Sequence, residues 1–282
     1  MIGTRAGELL LWVFIAQAGA SSGAADLLRG RDPAKLETAA ISIAASGNPA
    51  DLSLLADRLG QRAFLRRLDP PSGGDVPVVR LRNVFRALAE HPSDATAALC
   101  LTVARKPDFT AEPSRINLLL NALIAVRPMS QAAADFVRSV NSPSYIEVTG
   151  PLLAVNASTR ALELLSEMLS DDKSDVAQRV SIAHWSLLPT RVDLGVVQMS
   201  AGVLQNHALS HDVRMAILES LYDYQPRRWF GVANAQPAMP AWSSASRTTR
   251  DALQSLGKTA LSRSDLPAEL RTAILKTLAE LT

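Results

Sequence analysis

The chain has 282 residues, 48% of them hydrophobic and 20% charged, with 29 basic and 27 acidic side chains for a net charge of +2. That is enough apolar material for a large or long core, without the basic excess that a phosphate backbone selects, so a nucleic-acid partner is not expected. The single cysteine, Cys100, excludes an internal disulfide and a haem-attaching cysteine pair.

The chain opens on "MIGTRAGE", where Arg5 and the α-amino group outweigh Glu8. "LLLWVFIAQAGA" follows, apolar almost throughout from Leu9 to Ala16 and ending in the small residues Ala18-Gly19-Ala20. A basic start, a short apolar run and small residues before a cut make a secretory signal peptide over 1–20. Cleavage is expected after Ala20 or a few residues later in "SSGAA", with a linker over 21–31 and a periplasmic or extracellular mature protein. An uncleaved first helix or N-terminal anchor is the other reading of this run. No cysteine stands at the end of the run, which excludes a lipid-anchored signal, and no later stretch is long and apolar enough to span a bilayer.

From Asp32 onward the apolar residues recur every three or four positions, the helical period. "DPAKLE" offers Asp32 as an N-cap and Pro33 as a first helical residue. "SGNPADLSLLADRLG" ends that helix at Gly47 and starts another at Asn48-Pro49, so two helices of about a dozen residues join through a short turn and pack antiparallel. "RLDPPSGGDVPVV", residues 67–79, is too rich in proline and glycine for helix.

The helical unit then repeats. "LRNVFRALA" and "INLLLNALI" align at an offset of 35, with Leu81, Val84, Phe85 and Leu88 over Ile116, Leu119, Leu120 and Leu123. "VSIAHWSLL" continues the rhythm, and "VRMAILESLYDY" matches "LRTAILKTLAEL" without a gap at an offset of 57. Partner helices follow in "DATAALCLTVAR", "SQAAADFVRSV", "STRALELLSEML", "VDLGVVQMSAGVLQ" and "TTRDALQSLGKTAL". "SPSYIEVTGPLLAVNAS" is read as a first helix that carries Gly150-Pro151 in its interior.

A repeat of helix-turn-helix units near 35 residues predicts an all-α fold, an α-solenoid of about six antiparallel pairs over 32–282. The "VR..AIL..L" of Val213–Leu221, the "LR..IL..L" of Leu270–Leu278 and the paired helices resemble HEAT repeats, with armadillo-like and tetratricopeptide arrays as neighbouring architectures. Some HEAT first helices bend at a proline, which would accommodate Pro151.

Chemistry-bearing residues are sparse. His207 and His211 stand four apart in "HALSH" but lack a glutamate between them and further ligands, so a turn and helix start is expected and no metal. His184 falls on an apolar face and is expected as a core histidine. His91 precedes Pro92 in a turn. "SDDK", Ser170–Lys173, matches a nucleophile motif without its companion motifs and is expected as a capped turn. Cys100 lies in the apolar run "TAALCLTVA" and is expected as a buried hydrophobe. "NAS" at Asn156 is a glycosylation sequon only for a eukaryotic secretory route. Glu163 and Glu167 share a helix face that is expected to be solvated. No cofactor motif is found.

The stretch "PRRWFGVANAQPAMPAW", inside a second irregular segment at 226–246, behaves as an insertion of about 20 residues, because its flanking units are 57 apart, not 35. Arg227, Arg228, Trp229, Phe230 and Trp242 are the residue types that dominate protein interfaces. They are the expected binding residues, the other reading being aromatics packed back onto the core. The function expected is an exported, non-catalytic binding or scaffold protein that presents a curved helical surface to a protein partner. The alternatives are a helical-toroid hydrolase acting on cell-envelope material, which the low aromatic content disfavours, and an accessory subunit of an envelope enzyme complex.

Overall fold

A computed structural model describes residue 23 and residues 26–70, 78–140, 143–222 and 240–282. The described residues are all-α: fifteen helices, one short 3-10 turn and no strand. They fall into two compact units that divide between Arg127 and Pro128.

The first unit holds α1 (Pro33–Ser46), α2 (Pro49–Leu59), α3 (Arg62–Leu68), α4 (Val79–Glu90), α5 (Asp94–Ala104), α6 (Pro107–Thr110) and α7 (Pro113–Ala125). The start of α1 is local chemistry. Asp32 Oδ1 accepts from Ala34 N at 2.9 Å, and Pro33 supplies a preset φ where no amide donor is needed. Gly47 takes φ 65° to end the helix, and Asn48 Oδ1 at once caps α2 through Ala50 N at 2.9 Å. First helices then pack on first helices, α1 on α4 and α4 on α7, while α2 packs on α5. Leu36, Leu52, Leu55, Val84, Phe85, Leu88, Leu119 and Leu120 form the buried seam between them.

Two short helices supplement the pairs. α3 buries Phe64, Leu65 and Leu68 and takes in Arg67 and Leu68, the first two residues of the proline- and glycine-rich stretch. α6 buries Phe109, whose ring lies 5.6 Å from that of Phe85. Asp69, 6% exposed, caps α4 across that stretch: its carboxylate accepts from Arg80 N at 3.0 Å and Leu81 N at 2.9 Å. The described residues on either side of 71–77 are thereby joined.

The second unit holds α8 (Gln131–Ser139), α9 (Pro143–Asn156), α10 (Thr159–Ser170), α11 (Val176–Leu187), α12 (Leu194–Leu204), α13 (His211–Tyr222), α14 (Arg247–Leu261) and α15 (Ala268–Glu280). Two rows recur here: α9, α11, α13 and α15 pack in succession, and α8, α10, α12 and α14 do likewise. α9 runs through Gly150-Pro151 without ending. A Cβ on Gly150 would meet Ser186 Oγ at 2.6 Å and Ile182 Cγ2 at 3.0 Å, so glycine is what lets α11 come this close.

The "VR" and "LR" of the matched motifs do the same work in each place. Arg214 Nη2 donates to Leu209 O at 3.1 Å, and Arg271 donates through Nη1 and Nη2 to Leu261 O and Arg263 O at 2.8 and 2.9 Å. In the first unit Arg115, near the head of α7, donates to Asp108 O at 2.8 Å. Each arginine reaches back from the start of its helix to carbonyls five to ten residues earlier, in the preceding turn or at the end of the preceding helix. Such charge-assisted hydrogen bonds contribute about 1.5–3 kcal/mol apiece.

Candidate functional site

Of the five expected binding residues, Arg227, Arg228, Trp229 and Phe230 lie outside the described residues, and Trp242 lies within them. Trp242 opens a 3-10 turn, Trp242–Ser244, and is half-buried. Helix α14 starts five residues later, at Arg247, where Ser246 Oγ accepts from Thr249 N at 3.1 Å.

The Trp242 ring is met by Arg191, from the turn between α11 and α12. The guanidinium carbon sits 3.9 Å from the ring centre. Nε and Nη2 both donate to Pro240 O, at 3.3 and 3.0 Å. Arg191 is only 6% exposed, and its planar guanidinium meets a carbonyl and an aromatic face together, a combination for which an ammonium is less suited. Sequence reasoning missed Arg191: nothing in "LLPTRVDL" marks a partner 49 positions away. On the other flank of residues 223–239, Tyr222 donates its hydroxyl proton to Leu253 O at 2.6 Å and accepts from Thr277 Oγ1 at its own carbonyl at 3.2 Å. The described ends of the second interruption are therefore fixed by buried polar contacts, as Asp69 fixes those of the first.

A histidine, a serine and a carboxylate meet where α11 crosses α13. His184 Nδ1 lies 3.0 Å from Ser220 Oγ, and His184 Nε2 lies 3.8 Å from Glu219 Oε2. The serine proton, however, goes to Ala216 O at 2.6 Å. With that proton donated to Ala216 O, Ser220 Oγ is placed to accept from Nδ1–H, and the direction of the His184–Ser220 bond follows the imidazole tautomer. His184 and Ser220 are 6% and 2% exposed. Burial lowers the imidazole pKa to about 4, so the ring is neutral near pH 7.

The other candidates resolve into structural roles. His211 opens α13 and places Nδ1 3.5 Å from Asp265 Oδ2. Asp265 is gripped by Arg263 through bonds of 3.0 and 2.9 Å, which hold its carboxyl at about 2. Among the described residues no group of three or more His, Cys, Asp or Glu side chains is arranged to hold a metal. Ser170 ends α10, and Asp171 closes the following turn by accepting from Lys173 N at 3.1 Å and Ser174 Oγ at 2.7 Å. Glu167 is bound bidentately by Arg138, at 2.9 Å on both oxygens. Burial pushes the Cys100 thiol up to about 12, which leaves it protonated and unreactive. Asn156 of the "NAS" sequon is 3% exposed, and its Oδ1 accepts from Ser158 N at 3.1 Å and Ser158 Oγ at 2.5 Å. Its side chain serves the α9–α10 turn and is not presented for modification.

One open apolar groove, of about 280 Å³, lies between α12 and α14. Alanines 201, 252 and 260, the buried Leu218 of α13, and the polar Gln198, Gln205 and Ser255 are among its lining residues.

Compared with protein-family models, with curated proteins and with solved structures, the chain finds no match. No helix of the described residues is long and apolar enough to cross a membrane.

Proposed function

We propose that this chain is an exported, HEAT-like α-solenoid that acts by binding, presenting a helical surface to a protein partner. The observation that carries the reading is the packing in rows. First helices stack on first helices and second helices on second helices within each unit, the arrangement by which repeat proteins build extended binding faces. The "VR" and "LR" arginines support it further, because one sequence motif performs one structural task in successive pairs. Trp242, half-buried and braced by Arg191, supports placing the partner's contact at the second interruption, where Arg227, Arg228, Trp229 and Phe230 also fall. Export rests on the N-terminal sequence alone, with cleavage after Ala20.

Two measurements test the proposal. Fractionation with N-terminal sequencing of the mature protein is expected to find it outside the cytoplasm, beginning near Ser21. Cross-linking in that compartment is expected to trap a protein that wild type captures and that W242A and R228A variants lose. An intact cytoplasmic chain refutes export. Turnover of a substrate by the purified protein, with no partner trapped, refutes the binding role and favours the helical hydrolase.

A further inference from the structure

We draw no further inference here: the strongest candidate, the apolar groove between α12 and α14 with Leu218 in its lining, carries nothing because nothing in the structure shows what covers it and the cation in its lining, Arg263, is already held by Asp265.

Discussion

Arg191 lies over the ring of Trp242 at 3.9 Å while its Nε and Nη2 both donate to the carbonyl of Pro240, two residues before that ring. One buried side chain therefore fixes a backbone position and an aromatic orientation together. Arg191→Ala removes both contacts and is expected to cost about 2–4 kcal/mol in urea denaturation. Arg191→Lys keeps the charge but cannot offer a planar fork and a stacking face at once, and is expected to lose about half as much. An alanine variant as stable as wild type would show that the clamp holds nothing.

Gly150 and Ser186 form a second testable pair. A methyl at 150 would lie 2.6 Å from Ser186 Oγ, so Gly150→Ala overpacks the α9–α11 contact and is expected to cost about 1–3 kcal/mol. Ser186 is fully buried, and its Oγ has no hydrogen-bond partner among the described residues. Ser186→Ala alone is therefore expected to be neutral or slightly stabilising. In the double variant it should recover part of the glycine substitution's cost, and a double-mutant cycle with additive effects would refute the steric account.

Ala157, in the turn between α9 and α10, has φ 54°, a left-handed conformation that a Cβ disfavours. Ala157→Gly is expected to raise stability by about 0.5–1 kcal/mol, since relief of the strained backbone exceeds the added freedom of the unfolded chain. Thermal melting checks the sign: a lower midpoint would show that the Cβ makes contacts that outweigh the strain.

His184 gives the fold an acid limit. Burial lowers its pKa from 6.5 to about 4. Below about pH 6.5 the unfolded chain takes up a proton that the folded chain resists until about pH 4, so this contribution is complete above pH 6.5 and is lost progressively as the pH falls through that window. At about 1.4 kcal/mol per unit the loss comes to about 3 kcal/mol. Urea titrations across the window should show a slope that His184→Leu flattens. An unchanged acid limb in that variant would assign the loss to other groups.

Helix boundaries in this chain are local events, and sequence reasoning finds them where a cap and a stop stand side by side. Asp32, Pro33, Gly47 and Asn48 each act on a neighbour within a few residues. The interior Gly150-Pro151 was also readable as helix, because the apolar period continues on both sides of it. α3 and α6 escape that reading, since seven and four residues are too few to display a period. The clamp escapes it for the opposite reason. Trp242 is conspicuous in sequence, but the arginine over its ring sits in an ordinary turn 49 positions before Pro240, and only folding brings them together. The Asp69 cap spans 11 and 12 positions across a proline- and glycine-rich gap and is hidden in the same way.

The arginines at the heads of the first helices carry a consequence for how such a chain changes length. Arg115, Arg214 and Arg271 find their carbonyl acceptors within ten positions of themselves. The junction between one pair and the next is thus specified by residues that travel together in the gene. Loss or duplication of a segment that includes an arginine and its turn would move a complete joint, leaving each remaining joint with both of its halves. Added residues elsewhere, outside the few positions between Arg214 and Leu209, would leave the joint at Arg214 untouched. At Arg115, Arg214 and Arg271 the segment that moves as one begins just ahead of the helix that carries the arginine.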